Sequence, residues 1–217
     1  MQLFCEISQK GSKPDIFTYN TILLGLFEVG IIDDANQLYA EMLSAGPKPD
    51  RYTHLILFDG YFKYRLVEEA MSLFNKMEKT REDISTALYN VVISGLCKNG
   101  KLNDAHAVFK KLYFIGLLPD VRSYTLMING FCSEGLFDEA KDVLRKMEDN
   151  SCFPNNVAYN VIVQGFLRWN KISEMASFME EIAERGFSFD ATTTGLLINV
   201  ARENPSVLDM IPELSSV

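Results

Sequence analysis

Residues 86–120 read TALYNVVISGLCKNGKLNDAHAVFKKLYFIGLLPD, and this stretch decides the fold class. Tyr89, Val92, Ile93 and Leu96 recur at three- and four-residue intervals, as do Leu102, Ala105, Val108, Phe109 and Leu112. Each half therefore predicts a helix with one apolar face. Between the halves lies Gly100. Glycine takes the left-handed backbone conformation common just past a helix end, and Asn103 is placed to cap the second helix. The stretch predicts a helical hairpin.

The pattern recurs along the chain. Tyr19, Tyr89, Tyr124 and Tyr159 are spaced by multiples of 35 residues, with His54 filling the missing step. Gly25, Gly60, Gly95, Gly130 and Gly165 keep the same phase, as do Ala35, Ala70, Ala105 and Ala140, with Met175 as the exception. A glycine inside a helix costs about 1 kcal/mol against alanine, so five in register imply a close approach between neighbouring helices. Asp33, Glu68, Asn103, Asp138 and Ser173 precede the second helices, four of them as good N-caps. The turns carry Gly30, Gly100 and Gly135 in phase, with Asn170 as a substitute and Arg65 as a departure.

Full units of this period occupy 16–50, 51–85, 86–120, 121–155 and 156–190. Residues 1–15 continue a second-helix pattern without its partner, which is expected of a fragment of a longer array or of a truncated gene. Residues 191–200 read as one more leading helix, broken at Asn204-Pro205, and 207–214 as a short capping helix. The 217 residues, 47% of them hydrophobic, suffice for one elongated domain that buries its core unit by unit. Cys5, Cys97, Cys132 and Cys152 show no CxxC pairing and no metal spacing with His54 and His106. Cys97 and Cys132 share a repeat position and read as small core residues of a protein in a reducing compartment. No apolar run has the length of a membrane span, and the start carries neither a secretory nor a transit-type segment.

The strings FTYNTILLGLFEVG, ALYNVVISGLCKNG, RSYTLMINGFCSEG and VAYNVIVQGFLRWN, with unit ends such as Pro14-Asp15, Pro49-Asp50 and Pro119-Asp120, resemble the pentatricopeptide repeat family. The tetratricopeptide pattern, with a period near 34, fits less well. The wording GLCKNGKLNDA is similar to restorer-of-fertility-like members of the pure-repeat class from plants. The resemblance implies an all-α, right-handed superhelical solenoid of stacked antiparallel hairpins. It also implies a mitochondrial location, with the chloroplast as the alternative, and single-stranded RNA as partner.

In that family the residue after the aromatic and the last residue of the unit read one RNA base. The pairs are Asn20 with Asp50, Leu55 with Ser85, Asn90 with Asp120, Thr125 with Asn155, and Asn160 with Asp190. Phe17, Tyr52, Ala87, Arg122 and Val157, three positions earlier, are implied to stack on successive bases. Asn with Asp corresponds to uracil and Thr with Asn to adenine, so the implied target is 5′-U-N-U-A-U-3′. N-capping alone would also account for Asp50, Asp120, Asn155 and Asp190. It does not account for Asn20, Asn90, Thr125 and Asn160, which sit inside helices where such residues are mediocre formers. The tyrosines keep phase with the apolar stripe and read as core.

A formal net charge of −8 argues against polyanion binding through the overall field. Lys63, Lys98 and Arg168 share one phase, where the family places a phosphate-contacting lysine; Glu28 and Ser133 break that series. The acidic runs Asp33-Asp34, Glu68-Glu69, Asp138-Glu139 and Glu180-Glu181 fall on second helices as solvated helix starts. No phosphate loop, HExxH or Ser/His/Asp arrangement is present, so neither an enzyme nor a cofactor is expected. The expected function is a sequence-selective RNA adaptor acting on organellar transcripts. The alternatives are a protein-binding helical scaffold, with other proteins as partners, or a non-functional remnant. No membrane and no small-molecule substrate is expected.

Overall fold

The computed structural model describes residues 14–81, 84–182, 185–205 and 207. Among them are eleven α-helices and no strand: α1 Ile16–Val29, α2 Ile32–Ala45, α3 Arg51–Lys63, α4 Val67–Thr80, α5 Thr86–Lys98, α6 Leu102–Phe114, α7 Val121–Ser133, α8 Phe137–Asp149, α9 Asn156–Arg168, α10 Ile172–Ile182 and α11 Ala191–Glu203. The chain falls into two compact units, Met1–Lys101 and Leu102–Val217. In the first, α1, α3 and α5 lie side by side, α2 packs on α1, and α4 packs on both α3 and α5. In the second, α7, α9 and α11 lie side by side, α6 packs on α7, α8 on α7 and α9, and α10 on α9.

The leading helices start at side-chain caps. Asp15, Asp50, Ser85, Asp120, Asn155 and Asp190 each sit in extended backbone and accept from the amide three residues on. Each such cap stabilises its helix by about 1 kcal/mol. Asp50 and Asp120 complete capping boxes with Thr53 and Ser123.

The second helices start differently from expectation. Asp33, Glu68, Asn103, Asp138 and Ser173 do not cap them; each is already the second helical residue. The cap positions of α2, α4 and α8 fall on Ile31, Leu66 and Leu136, which make no side-chain cap bond. The cause is the turn. Gly30, Arg65, Gly100, Gly135 and Asn170 all take positive φ, from 52° to 80°. The amides of Ile31, Leu66, Lys101, Leu136 and Lys171 then close onto the carbonyls five residues back, at 2.8–2.9 Å. The chain thus enters the next helix at once, and the acidic residues of the first turn complement the helix dipole instead of capping. Arg65 adopts the glycine geometry at a cost of about 1 kcal/mol.

The in-phase tyrosines are core residues: Tyr19, Tyr89, Tyr124 and Tyr159 are all buried. Phe74 meets Tyr89 edge-on at 5.0 Å between ring centres, and Phe109 meets Tyr124 at 5.4 Å. Their hydroxyls find polar partners: Tyr89 donates to Glu78 at 2.6 Å, Tyr124 shares a 2.5 Å bond with Tyr113, and Tyr159 accepts from Arg185 at 3.3 Å. The shorter imidazole of His54 stands at the corresponding point beside a cavity of about 260 Å³ that Tyr39, Leu43 and Leu73 also line.

Three of the in-phase glycines mark close approaches. A Cβ on Gly60 would lie 2.3 Å from the Phe27 ring, one on Gly95 2.1 Å from the Phe62 ring, and one on Gly165 2.8 Å from Cys132 Cβ. A Cβ on Gly25 would meet no described atom within 4 Å. Cys132 is buried, which pushes its thiol pKa up to about 12 and leaves it inert. The extra leading helix expected at 191–200 is α11, which ends before Asn204-Pro205. Of the segments expected at 1–15 and 207–214, only Pro14, Asp15 and Val207 are among the described residues. Among the described residues no helix is long and apolar enough to cross a membrane.

Candidate nucleic-acid interface

The second residue of each leading helix points away from the core because the apolar stripe begins two residues later. Phe17 is 75%, Tyr52 54% and Val157 55% exposed, and Ala87 and Arg122 are exposed as well. Large apolar side chains are thus displayed where a flat aromatic ligand could stack.

The fifth residues of these helices lie deeper. Asn20, Asn90 and Asn160 are buried, whereas Leu55 and Thr125 are half-buried. Their partners are the N-caps of the following leading helix: Asp50, Asp120, Asn155 and Asp190 are exposed and Ser85 is half-buried. Capping is therefore a role that the second member of every pair performs.

In the first pair, Asn20 Nδ2 donates to Asp50 Oδ1 at 3.3 Å, and the Thr53 hydroxyl donates to Asn20 Oδ1 at 2.7 Å. The Thr53 amide also bonds Asp50 Oδ1, at 2.8 Å. Partial burial opposes ionisation of Asp50, but the amide and hydroxyl of Thr53 and the amide of Asn20 outweigh it and hold its pKa below the ordinary value. In the fifth pair, Asn160 Oδ1 accepts from the Asp190 amide at 3.0 Å and from the Thr193 hydroxyl at 2.5 Å. The Thr193 amide, its hydroxyl and Gln164 together lower the Asp190 pKa, against a smaller effect of burial.

The second and fourth pairs are not joined in this way. Thr125 donates to the Val121 carbonyl of its own helix at 2.7 Å, while Asn155 caps α9 through Ala158. Leu55 has no polar group to offer Ser85. Asn90 is on α5 in the first unit, and Asp120 caps α7 in the second through Ser123.

Lys63, Lys98 and Arg168 are the last residues of α3, α5 and α9 and are exposed. Lys63 lies 5.3 Å from the centre of the Tyr64 ring, and Arg168 donates to Gln164 Oε1 at 3.5 Å. Glu28 is exposed on α1, and the Ser133 hydroxyl donates to the Asn129 carbonyl.

Sequence reasoning missed Thr53, Thr193 and Gln164. A signal existed for the first two, since Thr18, Thr53, Ser123 and Thr193 are all the third residue of a leading helix. None existed for Gln164, whose counterparts are Leu24, Asp59, Ser94 and Asn129. Chemically, the residues of the individual units offer stacking surfaces, acceptor-only carboxylates and amides that both donate and accept. Those are the groups needed to meet the edge of a nucleobase.

Comparison with known proteins agrees with this geometry. A model of the PPR repeat family matches residues 14–63, 84–133 and 119–168, and a PPR repeat model matches 52–80 and 157–187. None of the curated proteins matches the chain. Among solved structures, the pentatricopeptide repeat protein PPR10 from maize aligns with a TM-score of 0.73 at 25% identity, over 89% of this chain and 27% of that one. The same protein in complex with an 18-nt psaJ RNA element aligns with a TM-score of 0.70 at 26% identity, over 82% of this chain and 26% of that one. The PPR domain of the Arabidopsis thaliana protein-only RNase P 1 in complex with tRNA aligns with a TM-score of 0.61 at 16% identity, over 85% of this chain and 96% of that domain, a likeness of fold alone. The chain thus spans about a quarter of the length of the maize protein. With family models covering well over half of its residues, the chain belongs to the PPR repeat family.

Proposed function

We propose that this chain binds single-stranded RNA sequence-selectively, at one base per unit, and acts by occupying a transcript rather than by catalysis. The observation that carries this is the recurrence, along the leading helices, of an exposed second residue, joined in the first and fifth units by a buried asparagine hydrogen-bonded to the cap of the next helix. A relative of known structure is complexed with RNA. The correspondence of pairs to bases gives 5′-U-N-U-A-U-3′, with Leu55/Ser85 leaving its base open. By resemblance the chain is a pure-repeat, restorer-of-fertility-like member that acts on organellar transcripts, in mitochondria or in chloroplasts, in processing, stability or translation.

The test is the double substitution Thr125→Asn with Asn155→Asp. It turns the fourth pair from Thr/Asn to Asn/Asp and replaces an amide, which can donate, by a carboxylate, which only accepts. Preference at the fourth base should move from adenine to uracil by about fivefold, the worth of about 1 kcal/mol for one net hydrogen bond. Competition binding with long unstructured strands that differ only at that base measures it. Unchanged preference would sink the pairing of these residues with that base.

A second reading, protein binding, is favoured by one observation. In the second unit Phe114 is 87%, Leu118 79% and Phe153 75% exposed. If those side chains serve a protein partner, their replacement by serine abolishes that contact and leaves RNA affinity unchanged.

A further inference from the structure

The first and fifth pairs have the same composition but differ in what their polar atoms are doing. Asn160 is saturated. Its Nδ2 donates to the carbonyls of Asn156 at 2.9 Å and Ser188 at 2.8 Å, and its Oδ1 accepts from the Asp190 amide and the Thr193 hydroxyl. An amide side chain has two donors and two acceptor lone pairs, so nothing is left for a base. Asp190 is engaged as well. The Gln164 Nε2 lies 3.3 Å from both of its carboxylate oxygens and 2.9 Å from the Thr193 hydroxyl. Gln164 itself is 9% exposed and Asn160 1%.

The first pair lacks this arrangement. Asn20 Nδ2 makes one long bond to Asp50, and the described bonds to the Asp50 carboxylate all fall on Oδ1. The residue corresponding to Gln164 is Leu24, which has no polar atom in its side chain and is exposed.

We infer that Gln164 is a specificity-determining latch that closes the Asn160/Asp190 pair, so that the fifth unit accommodates its base without reading it, while the open Asn20/Asp50 pair discriminates. The inference rests on the RNA reading above and narrows it, leaving the fifth base of the target open. A base at the fifth unit would have to exchange bonds already made for bonds of equal number, which yields little net preference. At the first unit the second carboxylate oxygen and the loosely held amide are available to an imide N–H and a carbonyl of uracil.

The test uses the full chain and long unstructured strands that differ at the first or the fifth base. The wild type should prefer uracil over adenine about fivefold at the first base, from one net hydrogen bond, and show no measurable preference at the fifth. Gln164→Met keeps the length of the side chain and removes its donors, which frees the Asp190 carboxylate while Asn160 stays engaged, so fifth-base preference should rise from none towards that of the first. Freeing Arg168 in this variant would change affinity for all strands alike and leave the ratio untouched. Leu24→Gln, a change at an exposed position, should engage the Asp50 carboxylate and reduce first-base preference. Equal wild-type preference at both bases would overturn the inference, as would an unchanged fifth base in Gln164→Met together with an unchanged first base in Leu24→Gln. Failure to bind any strand would instead dispose of the RNA reading. The closed geometry is then judged by proton exchange in the free chain, where the carboxamides of Asn160 and Gln164 should exchange more slowly than that of Asn20. Equal rates would overturn it.

Discussion

Gly95 and Gly195 both interrupt helices with a residue that weakens them by about 1 kcal/mol relative to alanine, but their surroundings are opposite. A methyl on Gly95 would lie 2.1 Å from Phe62 Cδ2 and 2.3 Å from its Cγ, so the whole ring would have to move. That ring is buried and stacks on Phe58 at 6.4 Å. Overpacking of this kind costs about 1–3 kcal/mol, which outweighs the gain in helix propensity. Gly195 is exposed, with nothing within 4 Å of its would-be Cβ. Gly95→Ala should therefore destabilise the chain and Gly195→Ala should stabilise it by up to about 1 kcal/mol. Denaturant midpoints of the two variants check this, and equal shifts would remove the packing role. The periodic glycines were readable in the sequence as a sign of close approach because only helix packing explains a repeated poor helix former. The saturation of Asn160 was not, since it depends on carbonyls and hydroxyls up to 33 residues away whose direction the alternation of residue types does not encode.

For the helices as elements, the apolar spacing revealed their type, and the caps located the starts of the leading ones. The second helices were misread at their starts because polar residues in a first helical turn resemble caps in sequence. Only the left-handed turn residues, including Arg65, show that the helix has already begun. The leading caps also carry a pH signature. The Asp50 and Asp190 pKa values are held below 3.8 by their bonds. A carboxylate depressed in the folded state stabilises it fully above its unfolded pKa, and that contribution is lost as pH falls through the folded value. Asparagine caps about as well as aspartate but does not titrate. The stability of the wild type minus that of the Asp50→Asn/Asp190→Asn variant should thus be constant from neutrality to about pH 5 and fall below about pH 4. Chemical unfolding across that range measures it; a difference that rises in favour of the wild type in acid would contradict the assignment.

At the scale of the whole molecule, a net charge of −8 leaves few cations to meet phosphates. Lys63, Lys98 and Arg168 are exposed and in phase. At roughly −0.7 per phosphate on a single strand, the logarithm of affinity should fall with that of salt at a slope of about −2. Binding titrations from low to physiological salt give the slope, and a much steeper value would reveal a further basic surface. The repeat number and period were plain in the sequence because the 35-residue spacing holds for several residue types at once. The grouping of the helices into two compact units was not, since the same residue types recur at the same period on both sides of Lys101. The glycine contacts have one more consequence. Gly60 faces the ring of Phe27, Gly95 that of Phe62, and Gly165 the small side chain of Cys132 beside the edge of the Phe137 ring. A joint whose one side is always blank accepts whatever the preceding module presents. Duplication, loss or exchange of a module by recombination therefore leaves seams of this kind serviceable, and an array built on them can change its length and its message without a new interface having to evolve.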